Sequence, residues 1–397
     1  MIAQRPRLSD SRAARALAVL FGSLIGLVAV LVADFLVSRL SNASSQIAQT
    51  RYVSTSDGWY ELAPNYAGKH QFGPVIFDVE TDAHGFRKKP GAATPSAYDV
   101  IAIGDSFTYG INGGWEQTFV GMYADDSRRH VLNAGVSSYS PTAYLHQYRK
   151  ALSLNLLSRP HLLLVAVDLS DVMDEAGIWI DGDANPRRRP PFGAPTASAG
   201  AALAPDAAAA IHAGGPPQRR PTRADIADGL IAMFPHSWRA YRFVRYDVLR
   251  WHASILSTHP RSAFTHMDWA TLDARPAAPL LEGYAPLGVR GGLSKLETKM
   301  LNLMTTATQA GGTVYILVYP WPAQMMHADT FSWSDFIAAL CTRGACAGVV
   351  DTIPTFRRIA AEDPGWLGRL YVKGDTHFSR EGNRVIADAL LQSLPRR

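Results

Sequence analysis

The chain is predicted to adopt an α/β fold, a three-layer α/β/α sandwich built on a five-stranded parallel sheet. Two observations lead there. Five short apolar bursts, Val100 to Ile103, Val131-Leu132, Leu162 to Val167, Val314 to Val318 and Gly348 to Val350, are continuous rather than alternating, as in strands buried on both faces. Between them run stretches with apolar residues at helical spacing, such as Leu293, Leu296, Met300, Leu303 and Met304, stopped by Gly311-Gly312. With 397 residues, 47% of them hydrophobic, the chain can bury one large domain or two smaller ones without staples.

From the N-terminus, Ala16 to Ala33 carries no charge and would rise roughly 27 Å as a helix, close to the hydrocarbon thickness of a bilayer. It is read as a transmembrane anchor, residues 1–41 including its flanks. Arg5, Arg7, Arg12 and Arg15 precede it while only Arg39 follows closely, which puts the N-terminus in the cytoplasm and the rest outside. A cleaved signal peptide ending near Ser41-Asn42-Ala43 is the alternative, although the apolar run is longer than a usual signal core.

Residues 42–97 read as a polar stalk followed by a small β-rich extension. Val75-Ile76-Phe77-Asp78-Val79-Glu80 alternates as a half-buried strand does, and suggests a hairpin laid against the main domain. Lys88 to Ser96 is a Pro, Gly and Ala connector into the main domain, residues 98–397. Asp181 to Arg223 interrupts that domain with Pro, Ala, Gly and Arg and no periodicity able to bury a face, so it reads as an insertion. Ala224 to Leu256 looks helical, with Trp238, Tyr241, Phe243 and Trp251 interleaved among arginines. Its aromatics are expected to pack on the core while its arginines face water.

The two cysteines, Cys341 and Cys346, are spaced to close a small loop in an oxidising compartment, and poorly spaced for a four-ligand metal site. The formal charge is +5 with scattered basic residues, which does not indicate nucleic-acid binding. No cofactor or metal is expected.

Chemistry concentrates at two points. Gly104-Asp105-Ser106 closes the first apolar burst, and Asp375-Thr376-His377 stands ahead of the last helix-like segment. A serine hydroxyl is a poor nucleophile at neutral pH. Ser106 needs a neutral imidazole to take its proton, and His377 needs an acceptor such as Asp375 to fix its tautomer. A serine at the C-terminal end of a central strand also sits where doubly wound sheets bind ligands, with helix N–H groups aimed at the same spot. Asp82-Ala83-His84 has the same spacing as Asp375 to His377 and is the rival pair, though it lies in the aromatic-rich hairpin region.

Gly104-Asp105-Ser106-Phe107-Thr108-Tyr109-Gly110, directly after the first strand, resembles the first sequence block of the SGNH, or GDSL, hydrolases. Leu132 to Ser140 is similar to the second block, whose glycine lends an N–H to the oxyanion hole, with Gly135 at the matching position. Asp375 to Gly382 is similar to the last block, which carries acid and base. The resemblance implies a flavodoxin-like sandwich, an esterase or O-acyltransferase acting through Ser106, His377 and Asp375, and an oxyanion hole formed by Ser106 and Gly135.

Two departures qualify it. Where the third block has asparagine, this chain has Ser170, a shorter donor that implies a weaker oxyanion hole. Asp375 and His377 are separated by one residue rather than two, which an extended backbone accommodates because residues i and i+2 share a side.

The expected protein is therefore a single-pass protein of a bacterial inner membrane whose periplasmic or extracytoplasmic domain acts on acylated, for example acetylated, envelope or secreted glycans. Partners in polysaccharide biosynthesis or export are expected as well. The alternative is a weak or inactive relative that binds glycan or scaffolds polysaccharide assembly.

Overall fold

The computed structural model describes residues 19–26, 28, 29, 32, 52–54, 58–72, 75–182, 185–188, 284, 286–326, 331–372 and 375–395. Residues 48–197 and 254–397 fall in one compact unit. Outside it, the described residues are 19–26, 28, 29 and 32, which are helical, with Val19, Leu20 and Phe21 exposed. Among the described residues no helix is long and apolar enough to cross a membrane. Much of the expected anchor lies outside the described residues, as do the stretch Ala224 to Leu256 and most of the insertion.

Two short hairpins are separate from the main sheet. One pairs β1 (Tyr52–Ser54) with β2 (Tyr60–Leu62). The sheet itself has eight strands rather than the five expected. Three of them come from the front extension: β3 (Ala67–Phe72), β4 (Val75–Thr81) and β5 (Arg87–Lys88), paired antiparallel. Then follow β6 (Tyr98–Ile103), β7 (Val131–Asn133) and β8 (Leu157–Val167). The second hairpin pairs β9 (Trp179–Ile180) with β10 (Arg187–Arg188), so the insertion begins as a strand. The last two strands of the sheet are β11 (Gly312–Val318) and β12 (Gly348–Asp351). The order is β12-β11-β8-β6-β7-β5-β4-β3, and the first five of these are parallel.

The five bursts read from sequence are these five parallel strands. The front extension does not lie against the domain as a separate hairpin. It carries the sheet onward through the pairing of Arg87 with Asn133 on β7. The alternation in β4 sets its facing, with Phe77 and Val79 buried and Ile76 exposed.

Period-two alternation also divides the parallel strands between two cores. Ile101, Ile103, Leu163, Val165, Ile316 and Val318 face one side, where the Gly288–Gln309 helix supplies Leu296, Met300, Leu303 and Met304. Val100, Ala102, Leu164, Ala166 and Leu317 face the other, against Phe119 and Val120 and against Ile386 and Leu390 of the Arg380–Ser393 helix. Burying each such aliphatic side chain contributes about 1.5–3 kcal/mol, so a charge at Met300 or Leu164 would break its layer.

The front end is tied down at several points. Trp59 stacks on Tyr139 with ring centroids 5.0 Å apart, and the Tyr60 hydroxyl donates to Ser137 O at 2.6 Å. Lys150, on the Pro141–Ser153 helix, reaches Glu61 Oε2 at 2.5 Å. Cys341 and Cys346 form a disulfide with Cα atoms 5.0 Å apart, at the end of the Trp333–Gly344 helix.

Strand β6 has β7 on one side and β8 on the other, so the chain reverses its direction of winding there. A crevice forms outside the carboxyl end of β6 at such a point, because the connections leave to opposite faces. Ser106 follows β6 by three residues.

Candidate active site

The turn after β6 runs straight into a four-residue helix, Ser106–Tyr109. Asp105 is its N-cap and accepts the Phe107 N–H at 2.9 Å, satisfying a donor that a helix start leaves orphaned. Gly110 ends the helix at φ 78°, in the left-handed region that favours glycine, and returns its N–H to Ser106 O at 2.9 Å. Ser106 is thereby held as the first residue of the helix. Its own N–H has no intrahelical carbonyl to bond.

The histidine comes from the other end of the chain. Tyr371 pairs with Phe378 in an isolated antiparallel bridge, and Val372 N–H donates to His377 O at 2.9 Å. Ser379 then caps the Arg380–Ser393 helix by accepting from Glu381 N and Gly382 N. Asp375 Oδ1 accepts both the His377 N–H at 2.9 Å and a contact from His377 Nδ1 at 2.5 Å. The backbone bends here rather than extending, and a single carboxylate oxygen fixes both the turn and the ring. This corrects the expectation of an extended pair.

His377 Nε2 lies 2.7 Å from Ser106 Oγ. With Nδ1 facing a carboxylate, the tautomer that suits both contacts carries its proton on Nδ1 and leaves Nε2 to accept from the serine. The Phe107 ring lies tilted over the imidazole with centroids 4.5 Å apart. It covers one face of the ring and restricts its rotation. The His377 side chain keeps 15% of its surface exposed and that of Asp375 29%, so the site opens to solvent.

Behind the nucleophile sit two buried carboxylates. Asp105 is pushed up to about 7, by burial first and then by the charge of Asp168. Tyr319 donates to Asp105 Oδ1 at 3.3 Å, and Asp105 Oδ2 lies 3.4 Å from Ser106 Oγ, a weaker partner for the hydroxyl than His377. Burial also raises Asp168, which accepts from the Trp321 indole N–H at 2.9 Å. Trp321 is thereby packed, 5% exposed, under the loop that follows β11.

Two of the three oxyanion residues read from sequence are engaged internally. The Ser170 hydroxyl donates to Asp168 Oδ1 at 2.6 Å, so its one proton is committed to that carboxylate. The Gly135 N–H donates to Asn133 Oδ1 at 3.0 Å. Gly135 has a packing reason to be glycine, since a Cβ there would stand 2.3 Å from Tyr109 N, against the helix that carries Ser106. The backbone N–H groups of Gly135 and Ser170 go to the side-chain oxygens of Asn133 and Asp168, whereas that of Ser106, at the first residue of its helix, has no intrahelical acceptor.

The rival pair is a turn. Asp82 Oδ1 accepts from His84 N at 2.8 Å and Phe86 N at 2.9 Å, which uses the carboxylate to hold backbone. Sequence reasoning gave no role to Asp105 or Phe107. An aspartate immediately before a helix start was the available signal for the first, whereas the contact of Phe107 with His377 had none. Among the described residues no group of three or more His, Cys, Asp or Glu side chains could hold a metal ion.

No family model matches the chain, and no curated protein matches it. Solved structures do. The chain is similar to LAE5, an α/β hydrolase from the metagenome of Lake Arreo, at 11% identity and TM-score 0.36, over 76% of this chain and 97% of that one. A variant of the acetyl-xylooligosaccharide esterase Axe2 from Geobacillus stearothermophilus shares 11% identity at TM-score 0.37, over 76% and 95%. The architecture described above rests on this chain's own strand order and register. A lipolytic protein of the G-D-S-L family from Desulfitobacterium hafniense is likewise similar, at 12% identity and TM-score 0.36, over 74% of this chain and 98% of that one.

Proposed function

We propose that the chain is a serine acyl-ester hydrolase, with O-acyl transfer when a sugar hydroxyl replaces water as acceptor. One observation carries this reading: Ser106 Oγ lies 2.7 Å from His377 Nε2 while His377 Nδ1 lies 2.5 Å from Asp375 Oδ1. A nucleophile, a base and an orienting carboxylate in that sequence are what acyl transfer through a hydroxyl requires.

In the first half-reaction Ser106 Oγ attacks the ester carbonyl carbon and its proton passes to His377 Nε2. The carbonyl oxygen takes up the negative charge, and the Ser106 N–H at the helix N-terminus supports it. Collapse expels the alkoxide, which leaves as alcohol with the proton from His377, and an acyl-serine remains. In the second half, water or a sugar hydroxyl gives its proton to His377 and attacks the acyl carbon. Ser106 departs and recovers the proton. Gly135 contributes to the oxyanion hole only if Asn133 releases its N–H, since that bond occupies the donor.

The substrate class proposed is an O-acylated, for example acetylated, envelope or secreted glycan, reached by a domain anchored at the inner membrane and facing the periplasm. The cluster of Arg5, Arg7, Arg12 and Arg15 before the apolar run and the closed Cys341–Cys346 disulfide support that location. Partners in polysaccharide biosynthesis or export belong to the same proposal.

A second reading, a weakly active or inactive glycan-binding or scaffolding protein, draws on the internal engagement of Ser170 and Gly135. A fluorophosphonate probe with mass-spectrometric mapping separates the two. Labelling at Ser106, abolished in His377→Ala, supports the hydrolase. Absence of labelling in the wild-type chain overturns it. Release of acetate from acetylated oligosaccharides tests the substrate class.

A further inference from the structure

We infer that Arg87, on the antiparallel extension, is a positioning residue that sets the approach of Ser106 to His377. This rests on the hydrolase reading. Arg87 is 2% exposed and forms no ion pair among the described residues. Both of its Nη atoms donate to backbone carbonyls just past the nucleophile, while Nε is buried without a hydrogen-bond partner among the described residues. Nη1 donates to Tyr109 O and, at 2.7 Å, to Gly110 O; Nη2 donates to Gly113 O at 2.8 Å. The cation also lies 5.0 Å from the Tyr109 ring centroid and 5.5 Å from that of Phe77.

The reason lies in the shortness of the Ser106–Tyr109 helix. A single turn leaves the carbonyls at its C-terminal end without intrahelical partners, and its dipole favours a cation there. Two side chains supply what is missing. Asn133 Nδ2 donates to Thr108 O at 2.9 Å, and Arg87 takes the next carbonyls. Arg87 and Asn133 are themselves register partners on neighbouring strands. The orientation of the turn bearing Ser106 is thus set from the sheet edge that the front extension adds.

The same loop reaches the histidine. Asn112 Nδ2 donates to Phe378 O, one residue from His377, while Arg87 holds the loop on either side of Asn112, at Gly110 and Gly113. Arg87 therefore acts on both partners of the Ser106–His377 contact, directly on the nucleophile helix and through Asn112 on the histidine segment. A planar fork bridges several carbonyls at fixed spacing. Lysine, whose three donors sit on one nitrogen, spans them poorly and keeps the charge.

The test uses the full chain with Arg87→Lys and Asn112→Ala, measured well below each variant's melting temperature. The readouts are p-nitrophenyl acetate kinetics, the rate of fluorophosphonate labelling at Ser106, and the NMR signals of the His377 ring. Displacing reacting groups by about an ångström can cost ~100-fold, so Arg87→Lys is expected to lower kcat by about that factor with KM within about twofold. Asn112→Ala is expected to lose about tenfold, and the double variant about as much as Arg87→Lys alone, because both act through one loop. The His377 signals shift in each.

Wild-type labelling rates and unchanged His377 signals in both variants would overturn the inference and leave the triad intact. If the wild-type chain does not label while Arg87→Lys still shifts the His377 signals, the hydrolase reading fails and the positioning role stands. Should Arg87→Lys not fold, Asn112→Ala decides by the same readouts, since it leaves the guanidinium bonds in place.

Discussion

On the proposed hydrolase reading, replacing Asp375 with asparagine isolates the charge of the carboxylate that faces His377 from its geometry. Asp375 Oδ1 accepts from both His377 N and His377 Nδ1, and an amide oxygen can accept the same two bonds, so the bend at residues 375–377 survives. What disappears is the negative charge facing the imidazolium that forms during attack. At an effective dielectric near 20 a charge pair about 4 Å apart is worth roughly 4 kcal/mol, an upper bound here. The 29% exposure of the Asp375 side chain admits solvent and reduces it. The lower bound is the difference between a charged and a neutral hydrogen bond, about 1 kcal/mol. A loss of about 2–3 kcal/mol follows, or ~30–150-fold in kcat. Steady-state hydrolysis of p-nitrophenyl acetate measures it, with Asp375→Ala expected to lose more because it also frees the His377 N–H. An Asp375→Asn variant with near wild-type kcat, or an equal loss in Asp82→Asn, would refute the assignment of the acid.

Other expectations follow from single contacts. Burial pushes Glu61 up, but its bonds with His146, Lys150 and Trp59 outweigh this and hold it at about 2, against an ordinary 4.5. The stability this gives is full above pH 4.5 and is lost as pH falls toward 2. The melting temperature of Glu61→Gln should therefore fall less over that interval than that of the wild type, and parallel curves would refute the link. Ser170→Ala should leave kcat nearly unchanged, since Ser170 donates to Asp168; a loss of ~100-fold, the mark of a missing oxyanion donor, would restore Ser170 to the oxyanion hole. Replacing Cys341 and Cys346 together with serine should reduce stability by about 2 kcal/mol, as loop closure predicts for so short a ring, with activity retained. Denaturant titration checks the stability, and inactivation of the folded variant would contradict a purely structural bond.

What the sequence determined by itself was whatever depends on neighbours along the chain. The five parallel strands are continuous apolar runs, and the Gly288–Gln309 helix buries Leu296, Met300, Leu303 and Met304 because their spacing matches its turn. Ser106 after the first run and Asp375 two residues before His377 were legible for the same reason. Tertiary structure alone decided which far-apart groups meet. The alternation of β4 identified a strand, but only the pairing of Arg87 with Asn133 joined it to the sheet. Gly135 and Ser170 occupied the right positions in their motifs, yet their donors went to Asn133 and Asp168, since a hydrogen bond forms with the acceptor that folding brings near. Arg87 lay in no motif and showed no periodicity. Its three carbonyl partners become neighbours only when the sheet edge closes under the Ser106 helix.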